Sequence, residues 1–523
     1  RGLPELERRA KMRRSLPVIL SRCAARHPLA AYLGAAAAVT AAVAWGFVST
    51  AVFCGTAGWL LLLVAVLSVL AAGQLAISMV NWVVTVVVPS RPLPRMDFSK
   101  GIPPEARTLV AVPTMLTSPN GVDDLLEALE VCFLANRDAY LHFALLTDFK
   151  DASSESLPGD EALVERARKG IEGLNEKYGG GRGDIFFLFH RPRSWNPHER
   201  VWMGYERKRG KLADLNALLR GDAGERFSVV EGETEVLSNV KYVITLDTDT
   251  QLPRDAARQF VGAMFHPLNR PRFDSGGRRV LEGYSILQPR MAVSLPVSGP
   301  SPYSKLFGSD SGVDPYTLVV SDLYQDLFGE GSFVGKGIYD VDAFEGALAG
   351  RFPENRILSH DLIEGCYARS GFFSDAVLFE AYPQSYRADV DRRRRWIRGD
   401  WQIAAWLFPW VPAEGGGYAR NSLSMLCRWK IFDNLRRSVT PAALLLLMLL
   451  GWCALSPAWF WTASVFGIFM LPQLGRSVNE LLSKPEDASF LQNAASVMRS
   501  FSAGITQSLF SIACLPYEAM FSL

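Results

Sequence analysis

Charge is missing from two long stretches of this 523-residue chain. No Asp, Glu, Lys or Arg occurs from Pro28 to Ser90, and none from Ser438 to Gly475. Buried helices of a water-soluble protein rarely avoid charge for that long, which argues against an ordinary soluble fold there. A helix needs about 20 apolar residues to cross a bilayer, so the first stretch has room for two spans and the second for two short ones. They break at the uncharged turns CGTAG (54–58) and LSPAW (455–459). Paired cysteines are also missing. The seven cysteines at 23, 54, 132, 366, 427, 453 and 514 contain no CxxC, so no metal or disulfide framework is read from them. A net charge of +2 excludes an obvious nucleic-acid binder. Two phosphate motifs are absent as well. GEGSFVGKGIYD (329–340) carries a GKG, but Glu330 and Gly337 stand where a P-loop needs Gly and Ser or Thr, and no GxGxxG follows the first strand. There is no internal repeat and no low-complexity tract.

Basic residues flank the uncharged stretches. ERRAKMRRSLPVILSRCAAR (7–26), RPLPR (91–95) and RWKIFDNLRR (428–437) should all lie in the cytoplasm by the positive-inside rule. The long basic segment ahead of the first apolar run argues against a signal peptide. The expected organisation is a cytoplasmic basic segment (1–27), two transmembrane helices (28–90), a large cytoplasmic domain (91–435), two more transmembrane helices (436–475), and a final segment (476–523). The last is an interfacial helix or the start of a further span, and the polypeptide is expected to be a piece of a longer one.

Within 91–435, strands are expected at TLVAVPT, LHFALLTD, DIFFLFHR, KYVITLD, YSILQPR and DAVLFEAY. Helices are expected at VDDLLEALEVCFLAN, DEALVERARKGIEGLNEKY, KLADLNALLRG and RDAARQFVGAMF. Their alternation predicts an α/β fold with a mostly parallel sheet, whose ligands bind beyond the strands' carboxyl ends. KYVITLDTDTQLP (241–253) places Asp247 and Asp249 at such an end, two residues apart on extended chain and so on one side. Paired oxygen donors suit a hard divalent cation, although an Asp-rich turn also caps helices. Asp148 and Thr114 end two other strands. Farther along come SHDLIEG (359–365) and RRRRWIRGDWQ (392–402). The arginines read either as a lipid-facing collar or as donors to a diphosphate.

In order along the chain, VAVPT, LLTD, GKLADLN, LDTDT, GEGSFVGKGIYDVDAF, SHDLIEG and RRRRWIRGDWQ resemble the membrane-embedded processive glycosyltransferases of the GT-A fold, such as cellulose and hyaluronan synthases. SHD stands where that group has a TED-like motif, and Arg392 where it has Gln. With those departures, residues 105–435 look most like the glycosyltransferase domain of the cyclic β-1,2-glucan synthase family. The resemblance implies an inverting transferase that polymerises glucose from UDP-glucose into a β-1,2-glucan. It also implies a bacterial inner-membrane, multi-pass location and further domains in a longer parent protein. It implies that Asp361 is the catalytic base, that Asp148, Asp247 and Arg395 bind the donor, and that Trp396 stacks on the acceptor. Thr114, at a strand's carboxyl end, and Lys211 and Arg392, as fixed positive charge for a diphosphate, are further candidate donor-binding residues. Asp249 with Asp247 would hold Mg²⁺ or Mn²⁺. Tyr316 is the candidate attachment residue for a glucan grown on the enzyme, with Tyr303 and Tyr324 as rivals. Asp361 also reads as a helix cap, and Trp401, Trp406 and Trp410 as membrane-interface residues. Two alternatives stay open: a synthase of another linkage or donor, and a catalytically inactive membrane scaffold or transport component.

Overall fold

A computed structural model describes residues 25–522, apart from 181–182, 223–225, 275, 277–278, 295–298, 300, 309–321, 358–359 and 483–489. The chain divides into two compact units, Pro89–Leu435 and Arg1–Val88 with Arg436–Leu523.

In Pro89–Leu435 nine strands form one sheet. They are β1 (Thr108–Leu116), β2 (Leu141–Phe149), β3 (Phe186–His190), β4 (Val229–Glu231), β5 (Tyr242–Thr245), β6 (Thr250–Gln251), β7 (Ile286–Val293), β8 (Gly337–Asp340) and β9 (Ser370–Glu380). Their order across the sheet is β4-β3-β2-β1-β5-β8-β7-β9-β6. β1 runs parallel to β2 and β5, β2 to β3, and β7 to β9, while β8 lies antiparallel between β5 and β7. The unit's longer helices are α1 (Pro119–Ala135), α2 (Asp160–Gly179), α3 (Arg207–Leu219), α4 (Ala256–Phe265), α5 (Val341–Leu348), α6 (Asp361–Ala368) and α7 (Tyr386–Gln402), and two six-residue helices lie at Pro302–Phe307 and Leu323–Phe328.

Alternation along the strands sends side chains to two cores. Val110, Phe143 and Phe186 pack with Phe133 of α1, Ile171 of α2 and Phe260 of α4. The neighbouring residues Leu109, Ala144 and Phe187 pack on the opposite face with Leu215 of α3 and Phe344 of α5. The sheet is therefore covered on both sides, as a mostly parallel sheet requires, and the unit is GT-A-like. Every strand and helix expected from the sequence coincides with an observed element. β8 was not expected. It is four residues long and begins at Gly337, where φ is +142° and a Cβ would lie 2.2 Å from the Leu287 carbonyl oxygen, so only glycine fits.

The second unit contains helices Pro28–Phe53, Gly58–Val87, Ala458–Leu482 and Phe490–Ser522, and Met425–Cys453 runs into it. Among the described residues three helices are long and apolar enough to cross a membrane: Pro28–Phe53, Gly58–Val87 and Met425–Cys453. The fourth expected span falls on Ala458–Leu482, which has 25 residues but is diluted by Thr462, Ser464, Pro472 and Gln473 and is not among them. The third helix begins at Met425 rather than near 436, because RWKIFDNLRR continues the helix instead of breaking it. Inside this unit Phe47, Val64, Leu447, Trp461 and Val465 form one apolar cluster.

Candidate active site

Asp148 sits at the carboxyl end of β2 and is 2 % exposed. Arg191, just past β3, grips it with two bonds, Nε to Oδ1 at 3.0 Å and Nη2 to Oδ2 at 3.1 Å. Lys211 of α3 adds its ammonium 3.1 Å from Oδ2 and donates to the carbonyl of Thr114 on β1. The second face of Arg191 reaches Asp214 at 2.6 Å. Gly204 makes room for this group, since a Cβ there would lie 2.0 Å from Asp148 Oδ2. Burial lowers the pKa of Lys211 despite the charge of Asp148 beside it.

Asp247 follows β5, but the strand stops at Thr245. The next residues fold into a turn closed by the Thr250 N–H donating to the Asp247 carbonyl at 3.0 Å. The turn, rather than extended alternation, brings Asp247 and Asp249 together. Their carboxylate oxygens and one from Glu380, at the end of β9, lie within 4.8 Å of one another. Neither aspartate caps a helix, because α4 starts at Ala256 with Asp255 before it. Both oxygens of Asp247 are held by ammonium groups, Oδ1 by Lys208 at 2.5 Å and Oδ2 by Lys336 at 3.1 Å. Lys336 also pairs with Glu380. Burial would raise the Asp247 pKa, and the two lysines outweigh it and hold the carboxyl below its usual range. Three hard oxygen donors at this spacing fit Mg²⁺ or Mn²⁺ by donor type.

Asp361 opens α6. His360 is the residue ahead of it, and no side-chain cap bond forms. The helix-cap reading therefore does not describe this carboxylate, whose buried Oδ1 has no hydrogen-bond partner among the described residues. His360 Nδ1 lies 3.6 Å from Asp361 Oδ1 and 2.9 Å from Glu364 Oε2. Asp361 is joined to the Asp247 group through Gly335. Lys208 donates to the Gly335 carbonyl at 2.6 Å, and a Cβ on Gly335 would come 2.8 Å from Asp361 Oδ1. Burial opposes the charge of Lys208, but Asp247 and Asp361 more than compensate and raise its pKa.

One helix thus serves both groups, because Lys208 and Lys211 lie three apart on α3 and so on one side of it. The structure brings Thr114, Asp148 and Lys211 together in one group, and Asp247, Asp249 and Asp361 around Lys208 in the other. Four members were missed by sequence reasoning: Arg191, Lys208, Lys336 and Glu380. Two carried a signal, since Arg191 and Glu380 end strands as Asp148 does. On α7, Arg392 pairs with buried Asp389 at 2.9 Å and lies 4.9 Å over the Trp396 ring. Arg395 and Trp396 are exposed, and no hydrogen bond or ion pair ties them to the Asp247 group among the described residues. Trp401 and Trp410 are exposed, but Trp406 is not a membrane-interface residue. It is 1 % exposed and donates to the Tyr367 hydroxyl at 3.1 Å. Tyr316 lies outside the described residues. Of its rivals, Tyr324 is 1 % exposed, and the Tyr303 hydroxyl donates to Asp389 at 3.0 Å.

No family model matches the chain. Among curated proteins, the cyclic beta-(1,2)-glucan synthase NdvB of Rhizobium meliloti (strain 1021) is 44 % identical over 417 residues. That alignment covers 79 % of this chain and 14 % of the relative, so the chain spans about one seventh of the protein it matches.

Proposed function

We propose that this chain, which shares ancestry with a segment of a cyclic β-1,2-glucan synthase, is a membrane-associated glycosyltransferase unit that adds glucose from UDP-glucose to a β-1,2-glucan. The observation that carries the reading is the gathering of Asp247, Asp249, Glu380 and Asp361 around Lys208 and Lys336, beyond the carboxyl end of β5. Ligands of open α/β sheets bind at such a position. The other linkages and donors weighed from sequence are less well supported, because the identity to a cyclic β-1,2-glucan synthase extends over most of the chain.

The reaction is a one-step displacement with inversion, in which an acceptor hydroxyl attacks the anomeric carbon opposite the departing UDP. Asp361 takes the proton of that hydroxyl, and helix α6 and the Gly335 turn fix its position. Lys208 and Lys336 hold fixed positive charge where the diphosphate gains negative charge. Asp148, locked by Arg191 and Lys211, lines the nucleoside end, and Thr114 joins it through Lys211. A Mg²⁺ or Mn²⁺ ion on Asp247, Asp249 and Glu380 would supply further charge neutralisation at the leaving group. Arg392 and Arg395 reach the donor, and Trp396 offers a flat face to the acceptor sugar. The glucan grows on a tyrosine of the enzyme, with Tyr316 the candidate. The catalytic unit faces the cytoplasm of a bacterial inner membrane, and the remaining domains of a longer parent act on the product.

Incubating the detergent-purified chain with labelled UDP-glucose and Mn²⁺, followed by linkage analysis, tests this reading. Label in a β-1,2-linked product is expected. Label in a product of another linkage would move the chain to a different synthase, and absence of transfer with intact UDP binding would refute the catalytic role.

A further inference from the structure

Two of the three carboxylates suited to an ion are already neutralised by the chain itself. Lys336 bridges Asp247 and Glu380, and Lys208 holds the other oxygen of Asp247. Lys336 is buried, at 8 % exposed, and Lys208 is held from a second side, donating to the Gly335 carbonyl. Three carboxylates against two ammonium groups leave this cluster with one negative charge, and a bound divalent ion would turn it to one positive. Without the lysines the loaded cluster would still be negative and would repel a diphosphate.

We propose that Lys208 and Lys336 are specificity-determining residues of the donor site: they hold divalent-ion affinity down and keep the ion-loaded site attractive to a nucleoside diphosphate. The proposal rests on the donor-site reading above. It makes the two affinities move in opposite directions when a lysine is removed. A purely structural ion pair would instead weaken both, since losing it loosens the Asp247 turn.

Calorimetric titration of MnCl₂ into the detergent-purified full chain, and then of UDP into the Mn²⁺-loaded protein, separates these cases. Lys336→Met is expected to bind Mn²⁺ about tenfold tighter than wild type and UDP about tenfold weaker, the scale of one charge-assisted contact. Lys208→Met is expected to shift both in the same directions by less, because its side chain is 22 % exposed against 10 % for Lys336. If Lys336→Met does not fold, Lys208→Met decides alone. Equal Mn²⁺ affinity in wild type and both variants would overturn the proposal while leaving the ion reading intact. Weaker Mn²⁺ binding in the variants would also overturn it. Binding by no protein, Asp249→Asn included, would remove the ion reading and the proposal with it.

Discussion

At the level of single residues, the candidate site sets carboxylates beside basic neighbours the sequence does not advertise. Asp148 is bonded on both oxygens by Arg191 and Lys211 in a nearly dry pocket. Asp148→Asn is expected to cost roughly 3 kcal/mol, since it leaves buried Lys211 without a carboxylate and takes from Arg191 one of its two, and thermal unfolding in detergent measures it. His360 offers a pH test. Burial pushes its pKa down, but Glu364 and Asp361 outweigh this and raise it above 6.5. A raised folded-state value contributes stability that is full below the unfolded value and is lost as pH rises through the folded one. The unfolding temperature of wild type relative to His360→Gln is therefore expected to be highest near pH 6 and to fall toward pH 9, and a difference independent of pH would contradict the pairing. Asp148, Asp247, Asp249 and Asp361 were legible because they end strands or stand in ordered motifs. Lys208 and Lys336 were not. Lysines are common on any surface, and GKG invited comparison with a P-loop, whereas its lysine serves the carboxylates of β5 and β9.

At the level of elements, apolar alternation and helical periodicity made six strands of the sheet and helices α1–α4 readable, including the parallel order that sets the site's position. What escaped was short or backbone-determined: β4, β6 and α5, β8 with Gly337 at its start, and the turn that replaces extended chain after Thr245. Gly335 shows how such backbone detail controls chemistry. Its φ is +86°, and an added Cβ would crowd Asp361. Gly335→Ala is expected to destabilise by about 1–3 kcal/mol and to cut glucose transfer at least about tenfold, since the strained turn must shift and take the base with it. Unfolding temperature and transfer rate on the same preparation check both parts.

At the level of the whole molecule, the absence of charge over 28–90 and 438–475 pointed to membrane helices, and among the described residues Pro28–Phe53, Gly58–Val87 and Met425–Cys453 are long and apolar enough to cross a bilayer. The fourth expected span falls on Ala458–Leu482, which lacks charge over most of its length but is not among those helices. The chain is expected to stay with membranes through an alkaline carbonate wash and to leave them only with detergent. Release by carbonate alone would refute integral insertion. In the proposed reaction Asp361 activates the acceptor at a site whose donor end is built separately. The most direct measurement of that role is glucose transfer from UDP-glucose by wild type and Asp361→Asn, with UDP affinity determined on the same samples. UDP affinity is expected within about twofold of wild type and transfer lower by at least about 100-fold, the scale of a lost general base. Transfer by Asp361→Asn at the wild-type rate would contradict that role.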